Sequence, residues 1–598
     1  MKDFRGWRSL DLRPRSHVLL AGMPRAGRSD IIAALTRALD PMSTRSQPRL
    51  YDLWQSAADA PTQEDVPGDA NSSKDAATQD TSLVRADFAE VEVTLGNLGR
   101  DLEQACDGFL EPQGPDGQPS DQLDSDAEAE FCVRITYRVA YDAPTDTLDH
   151  FVYFPLTSNP AAGDFARVPI RTRRLMPVVI VGDSRPLQVR VEGTLRKLLQ
   201  TKDAQATTDA LSRFKDAIDA ATSDLALEPV VAATLDALLV AGAAGRHLSE
   251  ELLTSSEVTF RAEDGSLAGL LRAIQPALNL DDAGTLTLQC HGSTVEAVLA
   301  VAEALLATEP PGTVVAIADD FGDGLDTASA EHLAGALRCS SSQAWISTRR
   351  AEVARAFDPS ELLRLTRHEG IRAFHAIQPP VDRKELASLR LLHSQLLPAL
   401  TCRTLVLVEG PHDLTVFTLA DRRRPPGGVP LSANGIRVVS ADSGMGGGTG
   451  QVERAAHLAR QLGFRVIAFI DGSSKWEGDG QFRIAAETDV LIRLPAGYAI
   501  ERALTSGVDA LALRDVAETV FATYGLLDSL GTPSDDDLES AVVSLLHRTG
   551  IHGPFLEGLL SEIGMPALIG KALDAMAAAA SRNTSSASVL LDAPVSNS

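Results

Sequence analysis

The residues LVLVEGPHD at positions 405–413 and VIAFIDG at positions 466–472 decide the fold around them. Each stretch is an apolar run that ends in a carboxylate, Glu409 or Asp471, followed at once by glycine. Uninterrupted apolar runs of this length are typical of strands buried on both faces of a parallel sheet. Open α/β sheets carry their chemistry at the carboxyl ends of such strands, so both acids are expected at one edge. Neighbouring acids there offer the oxygen ligands that Mg²⁺ prefers.

The residues between these two runs predict a β-α-β arrangement. A short strand is expected at Ile436–Ser440, followed by a glycine-rich loop at 444–448 and a helix over 451–462. Asp413 lies four residues after Glu409, near the start of the next helix. Two interpretations of Asp413 are open, because it can cap that helix or turn a second carboxylate towards the same metal.

A second glycine-rich motif lies near the N-terminus. The residues GMPRAGRS at positions 22–29 follow the pattern G-x-x-x-x-G-K-[ST], with arginine in place of lysine. An apolar strand over 16–21 precedes the motif and a helix over 29–39 follows it, which is the context that a phosphate-binding loop requires. Such a loop directs backbone N–H groups and a helix N-terminus at phosphate. The alternative is a plain glycine turn followed by an N-capping serine. The candidate nucleotide-binding residues of this loop are Gly22, Gly27, Arg28 and Ser29.

A further pair of acids extends this pattern towards an ATPase. The apolar residues 314–318 predict a buried strand that ends in Asp319 and Asp320, and a later strand is followed by Arg349. This order of motifs resembles the ABC-type ATPase heads of recombination and repair proteins. The resemblance implies that Asp319 holds Mg²⁺ through water, that Asp320 replaces the catalytic glutamate, and that Arg349 replaces the switch histidine. Because Arg28 is also a departure from the family pattern, the resemblance implies ATP binding and leaves ATP hydrolysis open.

The C-terminal β-α-β order resembles the topoisomerase–primase (Toprim) fold. In that family a glutamate in a Glu-Gly turn transfers protons or binds metal, and an Asp-x-Asp pair binds Mg²⁺. The resemblance assigns these roles to Glu409 and Asp471, while Ser473 stands where the second aspartate is expected. It also implies Glu501 as a ligand for a second metal and Lys571 as a lysine that stabilises charge on the phosphate. Glu501 can equally be an ordinary acid in the first turn of a helix, and for a single lysine such as Lys571 a solvated position on a helix is the more common identity.

The whole chain resembles the OLD-family nucleases, which include the nuclease subunit of the Gabija antiphage system. The resemblance implies DNA cleavage that depends on Mg²⁺ or Mn²⁺ and is controlled by ATP, a homodimer or larger homo-oligomer, and a helicase-like partner protein. It also implies a role in antiphage defence or DNA repair. The expected function is therefore a metal-dependent DNA endonuclease or nickase. The alternative is an ATP-binding regulatory or assembly protein whose nuclease site is degenerate. A primase-like polymerase ranks lower, because no zinc-binding module or helicase motif accompanies the acids.

The expected fold class is α/β, with an ABC-type P-loop ATPase domain, a parallel-sheet Toprim domain and a helical C-terminal region. The ATPase domain is predicted to contain two acidic disordered insertions, near 56–84 and 101–130, and a helical layer near 193–251 that is a candidate for dimerisation. The expected boundaries are 1–385 for the ATPase domain, 398–510 for the Toprim domain, 511–580 for the helical region and 581–598 for a disordered tail.

Composition and charge are consistent with this interpretation. A chain of 598 residues is too long for one core, and 44% hydrophobic residues are ordinary for a globular protein. We expect a cytoplasmic protein, because no apolar stretch reaches membrane-spanning length and the N-terminus lacks the apolar core of a signal peptide. The two acidic insertions supply −15 of the net charge of −26, whereas residues 401–505 hold twelve Lys/Arg against eleven acids. The overall charge therefore does not exclude DNA as a substrate. Five cysteines without a C-x-x-C pair indicate neither a zinc site nor a disulfide framework.

Overall fold

The computed structural model divides the chain into two compact units, Met1–Arg173 with Trp345–Ser598, and Arg174–Ala344. The residues that the structure describes are 1–14, 16–57, 83–114, 117–120, 130–182, 186–190, 193–240, 256, 266–278, 286–308, 310–378, 383–424, 428–442, 449–472, 479–581 and 587–593.

The strands within these ranges, numbered along the chain, are β1 Lys2–Phe4, β2 Trp7–Ser9, β3 Val18–Gly22, β4 Gln55–Ala57, β5 Leu83–Arg85, β6 Phe88–Leu95, β7 Leu110–Pro112, β8 Phe131–Asp142, β9 Thr147–Tyr153, β10 Val178–Val181, β11 Ala277–Leu278, β12 Leu286–Thr287, β13 Val315–Ala318, β14 Gln343–Ser347, β15 Leu362–His368, β16 Ile371–Ala376, β17 Thr404–Val408, β18 Ile436–Ser440, β19 Arg465–Ile470, β20 Val490–Arg493 and β21 Ala587–Leu590.

The α-helices of the same ranges are α1 Arg28–Leu39, α2 Arg100–Ala105, α3 Ile170–Arg173, α4 Thr194–Lys202, α5 Ala204–Leu227, α6 Pro229–Val240, α7 Leu267–Ala273, α8 Ser293–Ala307, α9 Thr327–Ser340, α10 Ala351–Arg355, α11 Arg383–Leu396, α12 Pro411–Arg422, α13 Thr449–Gln461, α14 Asp479–Glu487, α15 Ile500–Thr505, α16 Ala510–Thr523, α17 Leu527–Leu530, α18 Asp535–Thr549, α19 His552–Glu562 and α20 Ala567–Ser581.

The first unit contains three principal sheets. One is antiparallel with the order β2-β1-β6-β8-β7, and β9 also pairs with β8. In the second, β3 lies parallel between β14 and β15, and β15 forms an antiparallel hairpin with β16. The third has the order β18-β17-β19-β20-β21 and all of its pairs are parallel. The third sheet carries the two acid-ending runs, so its carboxyl edge is the place to look for chemistry.

The third sheet and the helices after residue 510 share one hydrophobic core. Strand β17 is buried along its whole length, which is why its sequence is apolar without alternation. Phe417 of α12 packs edge-on against Phe469 of β19, with ring centroids 4.7 Å apart. Phe521 of α16 stacks on Phe555 of α19 in the same core. The helices after residue 510 therefore stabilise the sheet that carries Glu409 and Asp471.

Arg364 joins the second sheet to the third. This residue lies on β15, is completely buried, and its guanidinium lies 3.5 Å from the centre of the Phe464 ring. It donates hydrogen bonds to the carbonyl oxygens of Leu400 at 3.1 Å, Cys402 at 2.5 Å and Leu462 at 2.7 Å. Burial lowers the pKa of Arg364 to about 9. The cation thus satisfies three buried carbonyl groups that precede β17 and β19.

The second unit contains a parallel pair of strands and a helical layer. Val178–Val181 pairs in register with Val315–Ala318. The predicted helical layer near 193–251 is present as α4, α5 and α6 up to Val240, and residues 241–251 lie outside the described residues. Its proposed role in dimerisation stays a prediction.

Two predictions of disorder were wrong for part of their range. Within 101–130, α2 buries Leu102, and β7 pairs with β8, where Glu111 accepts two hydrogen bonds from Arg134 at 2.8 and 2.7 Å. Within 581–598, strand β21 adds to the sheet beside β20 and buries Leu591. Backbone pairing orders both segments despite their polar composition, and the partly buried ion pair of Glu111 with Arg134 adds to it in the first. The rest of the first insertion (58–82) and residues 121–129 lie outside the described residues.

Across the described ranges, no single helix is both long and apolar enough to cross a membrane. The helices His552–Glu562 and Ala567–Ser581, taken together as a pair, pass that test on length and composition alone. The pair is bent by 102° at the break between them.

Candidate functional site

Glu409 and Asp471 meet at the carboxyl edge of the third sheet. Their strands, β17 and β19, are parallel neighbours with Leu407 paired to Ala468. The backbone N–H of Asp471 donates a hydrogen bond to Oε1 of Glu409 at 2.8 Å. Both acids are partly exposed. The structure therefore brings together the two acids that the sequence placed at one edge.

Gly472 allows a loop to return to this edge. A Cβ atom at Gly472 would lie 1.7 Å from the carbonyl oxygen of Pro495, so any side chain is excluded. The Gly472 N–H donates to the Tyr498 carbonyl, and the Gly497 N–H donates to the Gly472 carbonyl, both at 2.8 Å. Helix α15 begins directly after this loop. The close approach thus carries Glu501, in the first turn of α15, back to the strand ends.

Asp413 serves the start of α12 and belongs to the acidic cluster. Its Oδ2 accepts the N–H of Gly410 at 2.9 Å, so it caps the helix from the third position of the first turn. Its exposed fraction is only 8%. Burial raises the pKa of Asp413, the Gly410 hydrogen bond opposes this, and the charges of Glu409 and Glu501 raise it further, to about 7. Asp413 therefore caps the start of this helix, and its role as a metal ligand stays a prediction.

Glu501 is buried between two histidines. Its Oε1 accepts hydrogen bonds from Nδ1 of His547 at 3.1 Å and from Nε2 of His552 at 3.2 Å. Burial alone would raise the pKa of Glu501, but the bonds from His552, from its own backbone and from His547 outweigh this and lower it to about 2. The histidines lie 46 and 51 residues away along the chain, on other helices, so no local spacing could have identified them.

The chemistry of these side chains fits Mg²⁺ or Mn²⁺. Carboxylate oxygens are the ligands that such hard cations take. Burial is the main cause of the raised pKa of Asp413, and the charges of Glu409 and Glu501 add a smaller contribution that a cation would relieve. In the part of the chain that the structure describes, no group of three or more His, Cys, Asp or Glu side chains is placed so that it could hold a metal ion. Ser473, the predicted metal ligand in place of an aspartate, lies outside the described residues. The predicted ligand sets for one or two cations stay predictions.

Lys571 is placed on α20. Its Nζ lies 3.5 Å from the carbonyl oxygen of Asp592, which follows β21. Because β21 is parallel to β20, Asp592 lies at the same edge of the sheet as the acids. The described contacts of Lys571 do not include the acids, so its role at a phosphate stays a prediction.

The N-terminal loop has the backbone of a strand–glycine–helix turn. Gly22 ends β3 with φ 134°, and Gly27 precedes α1 with φ 96°, conformations that favour glycine. A Cβ at Gly22 would lie 2.1 Å from the Leu365 carbonyl, and the neighbouring Met23 N–H donates to that carbonyl at 3.0 Å. Gly27 provides no side-chain cap for α1. This geometry agrees with a helix N-terminus that receives phosphate.

The charged residues around this loop form a network. Arg28, the first residue of α1, donates from Nη1 to the carbonyl oxygen of Thr348 at 2.5 Å. Arg372, from β16, pairs with Asp30 in the first turn of α1. Trp7 donates from its indole N–H to the Gly27 carbonyl at 3.3 Å. The sequence missed Trp7 and Arg372 as supports of the loop, while Ser29 lies where predicted, in the first turn of α1.

Asp319 and Asp320 follow β13 in the second unit. Oδ1 of Asp319 accepts the N–H of Asp320 at 3.1 Å, and Asp320 adopts φ 42°, which is uncommon for a non-glycine residue. Arg349 follows β14 in the first unit and is exposed. Because the glycine loop and the two acids belong to separate units, the nucleotide site that would combine them stays a prediction.

No family model matches the chain, and no curated protein matches it. Solved structures that are similar include an SMC head bound to the C-terminal winged-helix domain of ScpA, with 13% identity, a TM-score of 0.31, and 63% of this chain and 95% of that chain covered. The C-terminal regions of two OLD proteins are also similar. That of Xanthomonas campestris pv. campestris has 20% identity and a TM-score of 0.19, covering 30% of this chain and 95% of that chain. That of Burkholderia pseudomallei has 17% identity and a TM-score of 0.20, covering 30% and 99%. At these TM-scores the function has to be inferred from the geometry.

Proposed function

We propose that the chain is a DNA endonuclease or nickase that depends on Mg²⁺ or Mn²⁺. The observation that supports this best is the hydrogen bond from the Asp471 N–H to Glu409 Oε1, which ties together the acid ends of two adjacent parallel strands. Asp413 and Glu501 add two nearly buried carboxylates to the same cluster. Burial of the Asp413 carboxylate, whose pKa is raised, is costly for the fold alone, and the group of acids suits a site that holds cations against a phosphodiester.

Each side chain has a distinct part in this proposal. Glu409 and Asp471 would hold the cation, and the bond between them fixes the orientation of Glu409. Asp413 anchors the turn between β17 and α12 through the Gly410 N–H. Glu501, held by its histidines, would contribute to a second cation position. A bound divalent cation would supply the positive charge that stabilises the phosphodiester transition state.

Nucleotide control is the second part of the proposal. The loop at 22–29 has the turn, the helix start and the supporting contacts of a phosphate site. ATP bound there would act on the nuclease within the same chain, and Asp319 and Asp320 are the proposed partners of its Mg²⁺. The order of motifs, which resembles that of OLD nucleases, agrees with this arrangement. It also agrees with a role in antiphage defence or DNA repair. The proposed partners in that role are a second copy of the chain and a helicase-like protein.

A plasmid assay tests the nuclease. The full chain is incubated with supercoiled plasmid and Mg²⁺ or Mn²⁺ at several ATP concentrations, as wild type, Glu409→Gln and Asp471→Asn. We expect nicked or linear product from the wild type, and a loss of at least about a hundredfold in both variants, because each removes one anionic ligand. Glu453→Gln on α13, where Glu453 faces Arg483, is a matched control that should cut like the wild type. Intact plasmid with the wild-type chain under all conditions would contradict the proposal.

The second candidate is an ATP-binding regulatory or assembly protein. Two observations favour it: Arg28 donates to the Thr348 carbonyl, and the described residues contain no group of three or more His, Cys, Asp or Glu side chains placed so that it could hold a metal ion. Calorimetric titration of Mg²⁺ into the wild type and Glu409→Ala separates the two functions. Negligible and equal binding in both proteins favours regulation, and binding that Glu409→Ala removes favours the nuclease.

A further inference from the structure

Two histidines approach Glu501 from helices that lie far from it in the chain. His547 is near the end of α18 and His552 is the first residue of α19. Because an ionised carboxylate only accepts hydrogen bonds, Nδ1 of His547 and Nε2 of His552 must each carry the donated proton. Both bonds end on Oε1, so neither histidine contacts Oε2.

The two bonds differ in their exposure to water. The side chain of His547 is 81% exposed, whereas that of His552 is 1% exposed. Water competes with the exposed hydrogen bond from His547 and weakens it, whereas the buried bond from His552 to the charged Glu501 is retained. Of the two donors, His552 is therefore the one that can fix the orientation of Glu501.

His552 also contacts the turn that carries the strand-terminal acid. Its ring stacks on that of His412, with centroids 4.3 Å apart and planes inclined by 28°. His412 lies between Glu409 and Asp413 in the chain. Nδ1 of His552 is buried without a hydrogen-bond partner, so packing holds the ring and Nε2 makes its polar contact. One imidazole thus touches both the turn after β17 and the first turn of α15.

We propose that His552 is a positioning residue that orients the Glu501 carboxylate for a divalent cation. It holds this carboxylate in a fixed position relative to the turn that bears Glu409. The inference rests on the proposed function, because it assigns to His552 the support of a ligand in that site. Hydrogen-bond partners that orient metal ligands typically change metal affinity by about 10- to 100-fold when they are removed. The role differs from a purely structural one, because it predicts a loss of metal affinity in a folded protein.

The test measures Mn²⁺ binding to the full chain by electron paramagnetic resonance and calorimetry. His552→Leu keeps the volume and removes the donor, and it is expected to weaken Mn²⁺ binding about 10- to 100-fold. His552→Gln places an amide N–H near the position of Nε2 and is expected to stay within about threefold of the wild type. His547→Ala, which removes the exposed donor, is expected to change affinity by less than about threefold. Thermal unfolding of each variant shows whether it is folded.

The outcomes separate this inference from the proposed function. Wild-type Mn²⁺ affinity in folded His552→Leu overturns the positioning role. If Glu409→Gln loses Mn²⁺ while Glu501→Gln and His552→Leu keep it, the nuclease site stands and the inference fails. If the wild type binds no Mn²⁺, both fail. If His552→Leu does not fold, the comparison of His552→Gln with His552→Asn tests the inference, because the shorter asparagine cannot reach Glu501. Weaker Mn²⁺ binding in His552→Asn alone supports the positioning role. Equal Mn²⁺ affinities of the two variants overturn it.

Discussion

Two junctions among the described residues, at each of which a buried strand ends in a glycine turn and a helix begins, differ in the charged side chains around them. At the first, between β3 and α1, Gly27 gives the helix no side-chain cap and cations such as Arg28 and Arg372 surround the turn. At the second, between β17 and α12, Asp413 caps the Gly410 N–H and Glu409 accepts the Asp471 N–H. Similar backbone arrangements are thus surrounded by different charged side chains.

The difference is produced by side chains and not by the course of the backbone. A helix N-terminus favours negative charge. At the first junction that charge can come from a ligand, because no carboxylate caps the turn. At the second the protein supplies its own carboxylates. Burial is the main cause of the raised pKa of Asp413, and a cation would offset the smaller contribution that comes from the charges of Glu409 and Glu501.

Replacement of Arg364 is expected to have the largest effect. Arg364→Leu leaves three buried carbonyl groups without their donor, and each such loss costs about 1–3 kcal/mol, so we expect the free energy of unfolding to fall by about 4 kcal/mol. Urea denaturation measures this. Arg367→Leu, at a partly exposed position of the same strand, is the control and should stay within about 0.5 kcal/mol of the wild type. Equal stabilities of the two variants would show that Arg364 does not hold the sheets together.

The loop that approaches the strand ends beside the second junction depends on Gly472. Gly472→Ala places a Cβ 1.7 Å from the Pro495 carbonyl oxygen, so the loop before α15 must move, and we expect a loss of about 3 kcal/mol in unfolding free energy. Plasmid cleavage should fall as well, because Glu501 follows that loop. Gly480→Ala is the matched control: its Cβ meets open space in the first turn of α14, so stability should be equal or slightly higher. A Gly472→Ala protein as stable as the control would refute the close approach.

The charge at the second junction is tested by Asp413→Asn. The pKa of Asp413 in the folded chain, about 7, lies above its ordinary value of 3.8, so the folded state binds this proton more tightly than the unfolded state. Wild-type stability should therefore fall as pH rises from about 4 to about 7, and Asp413→Asn, which cannot ionise, should avoid that loss. At pH 8 we expect the variant to be more stable by on the order of 2 kcal/mol, with no advantage at pH 4.

Chemical denaturation at the two pH values, with and without Mg²⁺, measures this difference. Saturating Mg²⁺ should reduce the stability difference between Asp413→Asn and the wild type at pH 8, because a cation near Glu409 offsets the repulsion between Glu409 and Asp413. An advantage of Asp413→Asn that is the same at pH 4 and pH 8 would mean that ionisation of Asp413 is not its cause.

These contrasts also show how much of the molecule is predictable from its sequence. The apolar runs around Glu409 and Asp471 were sufficient to place both acids at one edge, because parallel strands end together. Strand Ile436–Ser440 was predicted with its bounds, and the helix expected over 451–462 is α13. Hydrophobic periodicity and turn residues are signals that lie within a few consecutive residues, and these strands and this helix are determined by such short stretches.

The remainder depends on contacts between distant residues. Arg364 lies in a strand as a charged residue, and its burial is explained by three carbonyl groups from two later segments, at Leu400 and Cys402 and at Leu462. His552 reaches Glu501 across 51 residues. Strand β21 lies in a Ser- and Asn-rich stretch and forms because β20 offers an unpaired edge. None of these contacts leaves a pattern in the neighbouring sequence.

The smallest expected effect concerns the cation of the first junction. Arg28 donates to the Thr348 carbonyl, so the phosphate contacts of the loop would come mainly from its backbone N–H groups. Arg28→Ala is then expected to weaken ATP binding by only about tenfold, equivalent to about 1.4 kcal/mol, as measured with a fluorescent ATP analogue. Gly27→Val, which is strained at φ 96°, is the comparison that should remove binding altogether. A loss of more than about a hundredfold in Arg28→Ala would show that the guanidinium leaves Thr348 and becomes the principal phosphate ligand. In that case the first junction, like the second, would depend on a charged side chain and not on the helix N-terminus.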